Sequence, residues 1–314
     1  MLGRLFTAIT PKPFGLSPYR RVDSARQSPV ALMDNHTLEN YLRQQIDASP
    51  EEDVTFDWLC GEPSGEKLLF FRDVVAMQAR LAGGKRIHNA LLIDGYLPDE
   101  GWVQFLSHHQ WLVELPVCGP QEWHDLARTR RGLAPDHAVI MDTLGRLRQW
   151  QVSLRLLVEV NQDNCQHPRG LYEWLRQTGV PFIQFAPRAG SGMPDGLDAS
   201  RWGHFLNTVF QCWVHRDIGK IFIQQFDAVL GAWCGLKSAP GMTPACQHCE
   251  MGWLCHAQPT EPEVKCTLCR GYLDFFTYSA PFMRVMRDLI AQRRSPMELM
   301  LLLETGQKKA PQGE

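Results

Sequence analysis

Residues 154–160 carry the sequence LRLLVEV, from Leu154 to Val160, and this stretch decides the fold. Its apolar residues run almost without interruption, whereas a strand with one face in water would alternate apolar and polar residues. Such a strand is typical of a parallel sheet that is covered on both faces. Around it the chain repeats a pattern of apolar strand, polar turn and helical segment with short connections, which predicts successive βα units.

Six strands are predicted along this part of the chain. They are Leu5–Thr10, Val54–Leu59, Ile87–Ile93, Trp111–Val117, Leu154–Val160 and Pro181–Ala186. Helical periodicity predicts helices between them, at Thr37–Ile46, Lys67–Arg80, Asp99–His108, His137–Trp150 and Gly170–Thr178. We therefore expect an α/β fold with a partial TIM-like (β/α)6 barrel, in which the functional residues lie where strands end.

The composition narrows the class of protein. Of the 314 residues, 44% are hydrophobic and 21% are charged, which is ordinary for a globular chain. The formal net charge of −2 gives no basic footprint for nucleic acid, and no apolar run approaches the ~18 residues of a membrane span. Residues 1–16, MLGRLFTAITPKPFGL, lack the features of an export signal, so we expect a cytoplasmic protein with reduced thiols.

A second informative stretch runs from Ala245 to Phe276, ACQHCEMGWLCHAQPTEPEVKCTLCRGYLDFF. It holds half of the ten cysteines, namely Cys246, Cys249, Cys255, Cys266 and Cys269. Thiolates favour zinc, copper(I) and iron–sulfur clusters. Four of them complete a tetrahedral zinc site or hold a [4Fe–4S] cluster. The alternative is that these cysteines are buried or disulfide-bonded.

Five passages resemble the anaerobic sulfatase-maturating enzymes, which are radical S-adenosylmethionine (SAM) proteins with a C-terminal SPASM domain. The passages are Phe6–Thr10, Phe56–Pro63, Gly119–Arg128, Phe182–Phe185, and Cys246–Cys255 together with Leu268–Tyr272. The resemblance implies a radical-SAM-like partial barrel at 1–190, a connecting helical segment at 191–235, and a small truncated SPASM-like cluster-binding region at 236–290. A C-terminal helix and polar tail would follow at 291–314.

The resemblance also assigns roles to single residues. Gly61, Glu62 and Pro63 match the end of the family's Gly-Gly-Glu-Pro motif, which meets the methionyl amine of SAM. Asp227 stands at the position of the family's candidate general base, a role that suits a carboxylate whose pKa is raised by burial. The alternatives are that residues 61–63 form a plain tight turn and that Asp227 caps or solvates a helix end.

The cysteines match one auxiliary [4Fe–4S] cluster of the family. Its four ligands correspond to Cys246, Cys249, Cys255 and Cys269, with Cys266 as a spare or alternative ligand. The ligands of a second auxiliary cluster are missing, because Pro259 stands at one of them and the inserted loop that supplies the others is absent. His124, Asp125 and Arg128 fall in a family signature, and we interpret them as a local polar network at a helix start.

The chain departs from the family where SAM would bind. Family members carry C-x3-C-x2-C after the first strand, and those thiolates hold the cluster that binds and reduces SAM. Here that segment is residues 11–30, PKPFGLSPYRRVDSARQSPV, and no cysteine occurs between Met1 and Leu59. Cys60, Asp94 and Cys118 replace the glycine, asparagine and aspartate that the family places around SAM.

Three functions are therefore considered. The first is a sulfatase maturase that converts a cysteine or serine to formylglycine with SAM. The second is a divergent relative that keeps one cluster and binds a sulfatase or another protein or peptide. The missing cysteines favour the divergent relative without SAM cleavage, although a truncated or misassembled N-terminus would mimic the loss. A zinc-stapled (β/α) binding protein of unrelated function is the third.

Overall fold

A computed structural model describes residues 32–93, 95–97, 99–188, 196–236, 246, 248–255 and 266–309. Within these residues the chain forms a six-stranded sheet whose strands follow the order of the sequence. The strands are β1 (Asp53–Gly61), β2 (Arg86–Ile93), β3 (Leu112–Val117), β4 (Ser153–Val160), β5 (Phe182–Pro187) and β6 (Phe222–Ile223). All neighbouring strands are parallel, so their carboxyl ends meet at one edge of the sheet.

The predicted α/β architecture is confirmed. One predicted strand lies outside the described residues, and one observed strand was not predicted. Leu5–Thr10 lies outside the described residues, whereas the other predicted strands match β1 to β5. β6 was not predicted, because it has only two residues and lies in the segment that the sequence indicated as helical. It exists because Phe222 and Ile223 pair with Phe182 and Ile183.

Helices connect the strands and continue after them. They are α1 (Asn35–Ala48), α2 (Gly65–Leu81), α3 (Glu100–His108), α4 (Gln121–Arg130), α5 (His137–Gln149), α6 (Pro168–Thr178), α7 (Ala199–Arg216), α8 (Gln224–Trp233), α9 (Cys269–Ala291) and α10 (Glu298–Lys309). Four of them begin at a side chain that accepts a backbone N–H three residues on, a cap that stabilises the first helical turn. The capping residues are Asp34, Ser64, Asp99 and Asp198.

The central strand β4 shows how the sheet uses its two faces. Successive side chains of a strand point to opposite faces. Leu156 and Val158 belong to the main hydrophobic core. Leu157 belongs to a separate small cluster with Leu92 and Ala186, and the charged residues Arg155 and Glu159 share its face while being buried. The face with Leu156 is therefore an apolar core, and the face with Leu157, which we call the inner face, holds buried charges.

Two glycines bring α9 into close contact with α7. A Cβ atom on Gly271 would lie 2.2 Å from the carbonyl oxygen of Ala199, and one on Gly203 would lie 3.0 Å from the Cα of Gly271. Beside this crossing the rings of Trp202 and Tyr272 meet edge to face, with centroids 5.8 Å apart. Since Cys269 is the first residue of α9, the crossing positions the end of the cysteine-rich stretch against the helices of the α/β unit.

None of the helices in the described ranges combines the length and the apolarity that a membrane crossing requires.

The glycine crossing gives a stability prediction. Gly271→Ala should lower the free energy of unfolding by about 2 kcal/mol or more, because the backbone carbonyl of Ala199 cannot move aside without separating the two helices. Urea unfolding followed by far-UV circular dichroism measures the change. The matched control is Gly145→Ala, within α5, where an added Cβ would meet nothing within 4 Å. That variant should be neutral or up to about 1 kcal/mol more stable, and equal effects of the two substitutions would contradict the close crossing.

Candidate functional site

The turn that follows β1 forms one corner of the candidate site. The pairing of β1 with β2 shifts by a bulge between Leu59 and Gly61, and Gly61 has a φ of +61°, which glycine adopts without strain. Cys60 is buried, and the side chain of Glu62 is exposed. The residues that the resemblance assigns to SAM therefore lie together at the carboxyl end of β1.

Lys67 closes this turn from the first turn of α2. Its ammonium donates to the carbonyl oxygens of Cys60 at 2.8 Å and of Glu62 at 2.6 Å, and its backbone N–H donates to Oγ of Ser64. The carbonyl oxygens of Cys60 and Glu62 thus already accept hydrogen bonds from the ammonium group of Lys67. In this arrangement the turn does not fit the amine of a bound SAM molecule.

Glu159 lies at the carboxyl end of β4 with basic partners. Its Oε2 is 3.0 Å from Nη1 of Arg131 and 3.9 Å from Nη1 of Arg188, and Sγ of Cys118 is 4.0 Å away. Its side chain is almost fully buried, so the arginines offset the cost of removing the carboxylate from water. This cluster joins the ends of β3, β4 and β5 on the inner face.

His124 stands at the centre of a second network, beside that cluster. The backbone N–H of Cys118 donates to its Nδ1 at 3.1 Å, so in the neutral ring the proton is on Nε2, which donates to Oδ1 of Asp136 at 2.8 Å. Arg128 also binds Asp136, at 3.0 Å, and Asp125 accepts the backbone N–H of His137. The predicted local network of His124, Asp125 and Arg128 is present, with Asp136 as a member that the sequence did not indicate.

A buried ion pair crosses the inner face. Arg155 of β4 forms an ion pair with Glu114 of β3, and its Nη1 donates to Oε1 of Gln224 at 3.1 Å. Gln224 is the first residue of α8, and the next residue, Gln225, bonds to both backbone groups of Phe185 in β5. These contacts fix the start of α8 against the sheet.

Asp227 lies in this fixed first turn of α8. It is 8% exposed, and burial raises the pKa of its carboxyl group to about 8. A carboxyl group with a pKa near neutrality suits general acid–base chemistry. The structure places Asp227 in the helix turn itself and not at a solvated helix end.

The five cysteines of the C-terminal stretch are all half-buried. The backbone N–H of Cys249 donates to the carbonyl of Cys246 at 3.0 Å, and that of Cys269 donates to the carbonyl of Cys266 at 2.9 Å. Each pair is therefore carried on a short turn of the same kind. In addition, the N–H of Leu268 donates to Sγ of Cys266 at 3.4 Å.

The donor set of these cysteines consists of thiolates, which suit a zinc ion or an iron–sulfur cluster. A tetrahedral zinc site with Zn–S bonds of about 2.3 Å holds its sulfurs about 3.8 Å apart. Among the described residues, only His124, Asp125 and Asp136 place three His, Cys, Asp or Glu ligand atoms within 4.8 Å of one another. In a [4Fe–4S] cubane, each of the four thiolates would bind a different iron atom.

Several residues of the site were missed by sequence reasoning. The structure adds Lys67, Arg131, Asp136, Glu159 and Arg188. Of these, Glu159 carried a signal in the sequence, since a charge within a buried strand needs a partner. The structure places the three predicted sets on different elements: Gly61 ends β1, Asp227 lies in α8, and Cys269 begins α9.

The raised pKa of Asp227 predicts a pH dependence of stability. The folded state holds the proton up to a pH of about 8, whereas the unfolded chain releases it near pH 4. Stability is therefore lost as the pH rises through this window, by about 1 kcal/mol per pH unit. Asp227→Asn should remove this loss, as measured by urea unfolding from pH 5 to pH 8. Asp73→Asn, at an exposed carboxylate of α2, serves as the control, and parallel curves for wild type and Asp227→Asn would contradict the assignment.

Comparisons with known proteins show what the chain resembles. No family model matches it. A serine-type anaerobic sulfatase-maturating enzyme of Bacteroides thetaiotaomicron is 29% identical over 244 residues, which are 71% of this chain and 58% of the relative. The uncharacterized protein YidF of Escherichia coli K12 is 42% identical over 151 residues, 46% of this chain and 89% of that protein. The chain thus spans less than two thirds of the first of these relatives.

A solved structure supports the same assignment at the level of the fold. It is described as native anSMEcpe with bound AdoMet and the Kp18Cys peptide, and it matches with a TM-score of 0.71 at 19% identity, over 88% of this chain and 98% of that one. The chain is thus similar in sequence to anaerobic sulfatase-maturating enzymes, and it shares the fold of a solved structure of that name.

Proposed function

We propose that this protein is a divergent member of the anaerobic sulfatase-maturating enzyme family that binds one auxiliary [4Fe–4S] cluster and a peptide or protein partner, and that it no longer cleaves SAM. The observation that carries the proposal is the distribution of cysteines. None occurs between Met1 and Leu59, whereas the four-cysteine set of the C-terminal stretch is complete. Of the two auxiliary cluster sites of the family, one is kept whole and one is lost whole, whereas random loss tends to damage both.

Cys246, Cys249, Cys255 and Cys269 would hold the cluster, with Cys266 beside them. Their half-buried positions and the matching turns of the two cysteine pairs support this assignment. Four thiolates leave no iron open to a further ligand, so the cluster would act as a structural or electron-transfer centre. We also propose the domain division at residues 190, 235 and 290, and a cytoplasmic location, which suits reduced thiols.

Gly61, Glu62 and Pro63 would be the remains of the SAM site. The engagement of the turn by Lys67 supports this proposal, since the ammonium takes the acceptors that an amine ligand would use. Asp227 would keep the position of the general base without a radical step to serve.

The inner face of β1 is the proposed place for the partner peptide. Asp57 and Leu59 are exposed on it, Leu59 to 50%, although the strand's other face is buried in the core. A protein of the same fold has been solved with a bound peptide, and the relative from Bacteroides thetaiotaomicron is named as a sulfatase-maturating enzyme. A sulfatase-derived peptide is therefore the first partner to test.

An active maturase is the second candidate, favoured by Asp227. Its buried carboxyl group with a pKa of about 8 is what proton transfer near neutral pH requires. In that case the SAM-binding cluster would need an unconventional ligand set that includes Cys60, Cys118 or a partner's cysteine. A zinc-stapled protein is the third candidate, since four thiolates also complete a tetrahedral zinc site.

The metal content tests the cluster. Anaerobically purified protein should contain about four iron and about four sulfide per chain, and Cys255→Ala should lose both and unfold the C-terminal region, because ligand binding contributes to folding in such modules. Cys212→Ala, at a half-buried cysteine of α7 outside the set, should keep the full content. One zinc and no iron would indicate a structural zinc site, and a folded protein without metal would refute the assignment.

The loss of SAM cleavage is tested by product analysis. Reduced protein, given SAM and a sulfatase-derived peptide, should yield neither 5′-deoxyadenosine nor formylglycine, because a cluster with four thiolates offers SAM no open iron. Mass spectrometry detects both products. The background is set by a variant with Cys246→Ala and Cys249→Ala together. 5′-Deoxyadenosine above that background would establish the active-maturase alternative.

A further inference from the structure

The turn after β1 holds an ammonium group that belongs to the chain itself. Nζ of Lys67 lies 2.8 Å from the carbonyl oxygen of Cys60 and 2.6 Å from that of Glu62. Gly61, between them, has the left-handed φ of +61° and follows a bulge in the strand. The backbone of this turn therefore directs two carbonyl oxygens to one point.

Two carbonyl oxygens at such distances form a cradle for a primary ammonium group. An ammonium has three N–H donors and no acceptor, and its hydrogen bonds to oxygen are strengthened by its charge. The cradle lies at the carboxyl edge of a parallel sheet, the edge at which such folds bind ligands. An α-amino group and a lysine side chain would satisfy it equally well, but two cations cannot share it, because like charges a few ångströms apart repel.

We propose that Lys67 is an internal ligand that occupies this ammonium subsite and excludes the α-amino group of SAM. The inference rests on the proposed function, in which residues 61–63 are the remains of the SAM site. It adds a cause of weak SAM binding that is independent of the missing cysteines. Removal of the ammonium should therefore reopen the subsite even though no cluster cysteine has been restored.

A second lysine makes the same kind of contact elsewhere and supplies a matched control. Nζ of Lys85 donates to the carbonyl oxygens of Ile46 and Ser49. Lys85 precedes β2, which begins at Arg86, so its cradle lies at the amino edge of the sheet. Its removal costs the same type of interaction without touching the carboxyl edge.

Lys67→Met keeps an unbranched side chain with good helix propensity and removes the charge. Equilibrium dialysis with labelled SAM should show an affinity at least about tenfold higher for Lys67→Met than for wild type. The reason is that internal occupation of a site in most molecules lowers its apparent affinity for a ligand. Lys85→Met should bind SAM as wild type does. Equal affinities of wild type and Lys67→Met, or no binding to either, would overturn the inference.

A measurement on the wild-type protein covers the case in which Lys67→Met does not fold. The Lys67 amine should react with an acylating reagent more slowly than that of Lys220, which donates to a single carbonyl from an exposed position, and equal rates would refute the internal ligand. These outcomes are separable from the proposed function, which is decided by 5′-deoxyadenosine formation in the wild-type protein.

Discussion

The close backbone contact between α7 and α9 ties the cysteine-rich stretch to the rest of the molecule. A side chain as small as alanine at Gly271 would strike the carbonyl of Ala199, so the geometry of the crossing depends on glycine. Phe210 and Phe226 extend the contact, because both pack against Phe275 of α9. Since Phe226 precedes Asp227 in α8, one aromatic cluster connects the base of the cysteine stretch with the start of α8 and, through Gln225, with the sheet.

The carboxyl edge of the sheet is filled by internal polar contacts. Lys67 binds the first turn, Asp136 binds both His124 and Arg128, and Glu159 binds Arg131. Such groups are stable in a buried setting only when they are paired. This edge of the sheet therefore carries the charged side chains that a ligand site needs, but many of them already pair with one another. Asp227 differs from these groups, because burial and not a charged partner sets its pKa.

The sequence predicted the features that depend on local pattern. The apolar run LRLLVEV became β4, the helical periods became α1 to α3, α5 and α6, and the cysteine spacing identified turns that the structure forms. β6 was not predictable, because two residues carry no periodicity and Phe222 and Ile223 are strand only through their pairing with β5. The partners of Glu159 and of Arg155 were not predictable either, since they come from other strands and helices. In the sequence Lys67 only begins a predicted helix, and its contacts with the carbonyl oxygens of Cys60 and Glu62 are set by how that helix packs against the turn.

We expect that any cluster in this protein is closed to SAM, because four thiolates leave no iron open. Electron paramagnetic resonance of the reduced protein, recorded with and without excess SAM, tests it directly, because a molecule that binds an iron of the cluster changes the spectrum of that cluster. We predict one cluster signal that is identical in the two samples. A signal that shifts when SAM is added would show an iron open to SAM and would contradict the account.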